Sequence, residues 1–123
     1  MSVEGERFPR SVRLRRSPEF QRVQRGGRRI SGRSLVVVYL ANDRDTARFG
    51  LAVSRKVGGA VVRNRVKRWL REAVRRQRGA APLVDVVIIA RPSAATAGYR
   101  ALYAEVGAAL RQMRSAGGAG SSG

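Results

Sequence analysis

The chain has no cysteine and no histidine among its 123 residues. That removes disulfides, Cys/His zinc sites, cysteine nucleophiles and any histidine general base together. Lysine is nearly absent, since Lys56 and Lys67 are the only two. Acids are few: 8 Asp plus Glu stand against 26 Lys plus Arg, a net charge of +18. No apolar run approaches the ~18–20 residues that a membrane span needs. The opening "MSVEGERFPR" lacks the apolar core of a signal peptide. These absences predict a soluble, cytoplasmic protein with no membrane partner.

What is present fits one compact domain. A hydrophobic content of 43% is ordinary for a globular chain of this length, so the charge excess does not imply general disorder. Self-repulsion at +18 opposes compaction, and a polyanionic partner is the simplest reason to tolerate it. Arginine dominates the basic residues, and its planar fork binds phosphate bidentately and stacks on bases. An arginine- and alanine-rich proteome would leave the same imprint, so the preference for arginine does not decide the partner alone.

Residues 1–12 mix charge, proline and serine without periodicity and are expected to form a flexible arm. Residues 13–114 read as the domain, and the low-complexity tail 115–123 is expected to be disordered. "SPEF" at 17–20 starts a short helix, with Ser17 as cap and Pro18 at the first helical position. "SLVVVYLA" (34–41) and "ARFGLAVS" (47–54) read as strands joined by the turn "NDRD", together an antiparallel hairpin. A long helix is predicted from about Ala60 to Gln77, followed by "VDVVIIA" (84–90), an apolar strand covered on both faces. "RRIS" (28–31) is the candidate fourth strand. Leu102, Val106, Leu110 and Met113 recur at helical spacing in a last helix. The order predicts an α+β, two-layer sandwich.

The helix "VVRNRVKRWLREAVRRQR" (61–78) carries most of the chemistry. Stepping about 100° per residue from Val66 puts Val62, Trp69, Leu70 and Ala73 on one stripe, with Val74 beside it. Asn64, Lys67, Arg68, Arg71, Arg75 and Arg78 gather opposite, with Arg63, Arg65 and Arg76 on the flanks. The bland reading is a solvated amphipathic helix. Such a helix usually interleaves acids with bases, because like charges at i,i+4 oppose folding. Here Lys67, Arg71 and Arg75 follow one another at that spacing, and only Glu72 interrupts with negative charge. Phosphates would neutralise the repulsion, which favours nucleic-acid binding.

The run "FGLAVSRKVGGAVVRNRVKRWLRE" (49–72) resembles the signature of the bacterial ribonuclease P protein component, centred on Arg63, Asn64, Arg65, Lys67 and Arg68. "RLRRSPEFQRV" (13–23), "GRSLVVVYL" and "DVVIIARP" (85–92) extend the resemblance over most of the chain. It implies the protein subunit of a ribonucleoprotein that removes the 5′ leader of precursor tRNA. In that family the RNA subunit, with Mg²⁺, performs the hydrolysis, and no further protein partner is required. The residues agree. Asp43 and Asp45 fall in a turn and Asp85 opens a strand, so no carboxylate pair is placed for metal-assisted hydrolysis. All eight acids read as surface charges and caps, with no catalytic residue and no firm metal ligand.

The resemblance further implies that Arg63, Asn64, Arg65, Lys67, Arg68, Arg71 and Arg75 contact the catalytic RNA. A cleft between the first helix and the sheet would take the single-stranded leader, gripped by aromatic stacking beside a basic groove. Phe20 shares a face with Val23 and reads alone as a core residue; the resemblance makes it the cleft aromatic. Arg13, Arg48, Ser54, Arg55 and Lys56 become candidates for backbone contacts. Gln24 and Val38 stand where the family often has further aromatics, and the alternation of a strand sends Tyr39 to the opposite face. The family fold implies likeness to the second domain of a small-subunit ribosomal protein and a left-handed strand–helix–strand crossover. A structural ribosomal protein is the alternative on composition, and a free-standing nuclease a distant third.

Overall fold

The computed structural model describes Arg13 and residues 17–122, with side chains for Arg13 and residues 18–115. The expected arm at 1–12 lies outside the described residues. The elements in order are α1 (Ser17–Gly26), β1 (Arg28–Ser31), β2 (Leu35–Ala41), β3 (Arg48–Ala52), α2 (Ala60–Gln77), β4 (Val84–Ala90), α3 (Ala94–Ala97) and α4 (Tyr99–Ser122). A 3-10 turn, Arg78–Ala80, separates α2 from β4. The last helix runs through the tail composition that predicted disorder. Its glycines and serines are weak helix formers, so that end takes its helicity by propagation from the packed turns before it.

One four-stranded sheet has the order β1-β2-β4-β3. β1 pairs antiparallel with β2, β2 antiparallel with β4, and β3 parallel with β4. This corrects the expected hairpin: β2 and β3 are not neighbours, because β4 lies between them. The reason is visible in β4 itself. Val84, Val86, Ile88 and Ala90 belong to one apolar cluster and Val87 to another, so β4 needs cover on both faces. Only an interior position gives a strand that cover together with partners along both edges. The hairpin in this fold is β1–β2, which promotes "RRIS" from candidate to strand.

The two sheet faces are filled unequally. Leu35, Val37, Tyr39, Phe49, Val86 and Ile88 pack against Val66, Leu70, Ala73 and Val74 of α2 and Leu102, Val106, Leu110 and Met113 of α4. Each such side chain contributes about 1.5–3 kcal/mol when fully buried, so this face dominates the stability. The other face holds a smaller cluster of Val23, Val36, Val38 and Val87, with Phe20, Leu40 and Ile89 packed against it. Tyr39 and Val38 fall on opposite faces, as alternation requires.

Two contacts tie the helices to the sheet. Glu105 of α4 accepts hydrogen bonds from the backbone N–H of Ser34 and Leu35, holding the helix against the start of β2. Gly27 joins α1 to β1 in a turn with no room for a side chain. A Cβ there would meet the carbonyl oxygens of Val23 and Tyr39 at 2.5 and 2.6 Å. Among the described residues, no helix is long and apolar enough to cross a membrane.

Candidate nucleic-acid interface

α2 occupies the predicted span, and its buried stripe is Val66, Leu70, Ala73 and Val74, with Val62 and Trp69 half-buried. The remaining surface is basic. Asn64, Arg68 and Arg71 are exposed, and Arg63, Arg65, Lys67 and Arg75 are partly so. The Arg65 guanidinium carbon lies 5.4 Å from the Trp69 ring centroid. That cation–π contact adds about 0.5–1 kcal/mol at an exposed site and fixes the fork's direction. The Nε atoms of Arg63 and Arg65 are buried and make no hydrogen bond within the described residues.

The charge along α2 is not uniform. Glu72 accepts hydrogen bonds from Arg75, whose Nε is 3.0 Å from Oε1, and from the Arg76 Nε at 2.8 Å. Hydrogen bonds from Arg75 first and Arg76 second hold its carboxyl down at about 2. Arg75 is therefore engaged within the helix, and the ladder of like charges ends at Arg71. Arg63, Arg65, Lys67, Arg68 and Arg71 have no carboxylate partner among the described residues. The uncompensated ridge is the N-terminal half of α2.

That half is fed by a tight loop. Val57 N–H donates to the Ser54 carbonyl at 3.0 Å and Gly58 N–H to the Arg55 carbonyl at 3.1 Å. Gly58 has φ +156, and a Cβ there would press on Val62 at 2.9 Å. The turn leaves Ser54, Arg55 and Lys56 all exposed at the end of the β3 segment. Arg13 forms a parallel bridge with Phe49 and is exposed along the outer edge of β3. Phe20 is half-buried on α1 against the smaller cluster. Arg13 thus lies along β3, the 54–56 loop follows that strand, and Phe20 sits on α1, which packs on β2 and β4.

Arg48 departs from the expected backbone contact. Its side chain is only 11% exposed and is held by two carboxylates. Its Nε donates to Asp85 Oδ1 at 3.0 Å and its Nη2 to Oδ2 at 2.8 Å, while Nη1 reaches Glu19 at 3.2 Å. Asp85 is fully buried and also accepts from Arg22 at 2.6 Å and Asn42 at 2.9 Å. Burial alone pushes this carboxyl up. Hydrogen bonds from Arg48 and Asn42, with the charges of Arg48 and Arg22, outweigh it and hold the carboxyl below its ordinary value. The cluster fastens α1 to β3, β4 and the 42–46 loop.

Reading the acids as surface charges and caps missed this cluster. Its signal was present: a lone carboxylate inside "VDVVIIA" must find partners, because an unpaired buried charge costs several kcal/mol. Among the described residues no group of three acids is placed to hold a metal ion. Glu19, Glu72, Asp85 and Glu105 are each bonded to arginine or backbone donors.

Residues 8–114 match the family model described as Ribonuclease P. A ribonuclease P protein component from Acidothermus cellulolyticus is 45% identical over 102 residues, covering 80% of this chain and 84% of the relative. One from Desulfotalea psychrophila is 38% identical over 106 residues, covering 85% and 88%. The solved ribonuclease P protein from Thermotoga maritima superposes with a TM-score of 0.74 at 30% identity, covering 81% of this chain and 96% of that one.

Proposed function

The chain belongs to the ribonuclease P protein family and is the protein component of that endoribonuclease, and on this premise we propose how it acts. It works with the ribonuclease P RNA. The N-terminal half of α2 docks that RNA through Arg63, Asn64, Arg65, Lys67, Arg68 and Arg71, releasing counterions from the phosphates they replace. Arg75 contributes less, because Glu72 already holds it. The observation that carries this reading is the run of five cations from Arg63 to Arg71 without a carboxylate partner among the described residues, on the motif that defines the resemblance.

The substrate is precursor tRNA, whose single-stranded leader lies between α1 and the β3 side of the sheet. Phe20 offers the stacking ring, and Arg13, Ser54, Arg55 and Lys56 the backbone contacts. Arg48 acts there indirectly, by holding α1 in place. Catalysis belongs to the RNA subunit, which binds the Mg²⁺ that the hydrolysis needs. The described carboxylates do not fit a metal site: no group of three is placed to hold an ion, and Glu19, Glu72, Asp85 and Glu105 are already engaged by arginine or backbone donors. The work proceeds in the cytoplasm. A structural ribosomal protein, equal on composition, does not account for the family membership.

Reconstitution tests the proposal. With its RNA subunit at low Mg²⁺, the chain is expected to restore cleavage of precursor tRNA that the RNA alone performs poorly. Unchanged cleavage would remove the assignment of catalysis to a protein-assisted RNA. Cleavage by the chain without RNA would transfer it to the protein.

A further inference from the structure

The strand β1 lies at the sheet edge farthest from β3, three strand spacings or about 14 Å away. It is flanked by arginine. Arg25 ends α1, Arg28 and Arg29 open β1, and Arg33 follows in the turn to β2; all four are exposed. Residues 20–42 contain no Asp or Glu. The nearby carboxylate of Glu105 accepts from the Ser34 and Leu35 N–H groups, and none of the four arginines has a carboxylate partner among the described residues. The patch is also preformed. The turn at Gly27, closed by its N–H on the Val23 carbonyl at 2.7 Å, sets Arg25 beside β1.

Arg28 pairs across the sheet with Tyr39 and Arg29 with Val38, so these two arginines point to opposite faces of the same edge. Cations on both sides of an edge strand that pairs only with β2 among the described residues form a cradle for a phosphodiester chain. We propose that the β1 edge is a second docking surface for the backbone of the ribonuclease P RNA, separate from α2. This rests on the reading that the chain works with that RNA. The α2 ridge lies on the β3 side, since α2 touches β3 while α4 touches β2 and stands between them. The leader trough is also remote, because α1 covers β2 and β4 between it and the β1 edge. The RNA subunit, not the leader, is therefore the polyanion placed to reach this edge. The protein would clasp its RNA at two edges.

Charge on an edge strand has another use, which is to prevent edge-to-edge aggregation. The test separates the two. Because the chain has no cysteine, Ser31→Cys and Asn64→Cys each give a unique site for a tethered iron–EDTA group in the assembled holoenzyme. Cleavage from the Ser31→Cys site is expected in the RNA subunit, at nucleotides distinct from those cut from the Asn64→Cys site. Cuts from the Ser31→Cys site confined to precursor tRNA, or none while the Asn64→Cys site cuts, would overturn the proposal. Silence from both sites would instead count against docking through α2. A second arm uses Arg28→Gln/Arg29→Gln/Arg33→Gln, which leaves the apolar clusters intact. RNA-subunit affinity is expected to fall at least tenfold at 0.15 M salt, with a shallower salt dependence, as loss of several phosphate contacts requires. Self-association with unchanged RNA affinity would make the arginines edge guards and refute the second surface.

Discussion

Replacing Asp85 by asparagine removes the only fully buried carboxylate among the described residues while keeping its shape. The consequence follows from its partners. Arg48, 11% exposed, would lose a bidentate acceptor, and Arg22, half exposed, a single one. Breaking a buried pair on one side costs about 3–5 kcal/mol, whereas the exposed arginine adds little. At about 4 °C per kcal/mol for a chain of this length, Asp85→Asn should melt about 12–20 °C lower. Arg48→Met should cost a similar amount, since it leaves the buried carboxylate only the half-exposed Arg22 and the Asn42 amide. The double variant removes both charges and should recover at least about 2 kcal/mol, or 8 °C, of the summed loss. Thermal melts followed by circular dichroism measure all three. Additive losses, agreeing within about 0.5 kcal/mol, would refute the argument that each charge is costly because the other is missing.

The same cluster sets an acid limit. The folded-state value of Asp85 lies below its ordinary 3.8, so its stabilisation is fully present above that ordinary value. It is lost as pH falls through the lower folded value. Melts of the native chain should drop across that window more steeply than those of Asp85→Asn, and parallel curves would contradict the assignment. Arg68→Ala should weaken RNA-subunit binding about five- to tenfold and reduce the salt slope by about 1, whereas Arg75→Ala should do less, as filter binding at several salts would report. Glu72→Gln should free Arg75 and Arg76, raising RNA affinity a few-fold while costing helix stability about 0.5–1 kcal/mol. Phe20→Ala should weaken precursor tRNA binding by about 1–3 kcal/mol with little effect on mature tRNA, and equal losses on both would misplace the leader trough.

Local signals made much of this fold legible. The 3.6-residue repeat of Val62, Val66, Leu70 and Ala73 identified α2, the "RKVGG" loop before it and Gly79 and Pro82 after it marked its bounds, and strand alternation separated Tyr39 from Val38. One of the two pairing partners of β2 was not local. "NDRD" has the composition of a hairpin turn, but the strand beside β2 arrives 43 residues later, and only the two-sided burial of β4 hints at it. The site divides in the same way. The basic ridge was readable because its residues are neighbours on one helix. Arg48 looked like a free cation because its acceptor, Asp85, is 37 residues away. Arg75 looked unopposed because a wheel places Glu72 on a flank, while its flexible side chain reaches both Arg75 and Arg76.

Sequencing the RNA that co-purifies with the native chain and with Arg65→Ala/Arg68→Ala tests the central claim most directly. The native chain is expected to retain one structured RNA that cleaves precursor tRNA in Mg²⁺, and the double variant to lose most of it at moderate salt. Recovery of ribosomal RNA, or equal recovery of the same RNA by both chains, would contradict docking through the N-terminal half of α2.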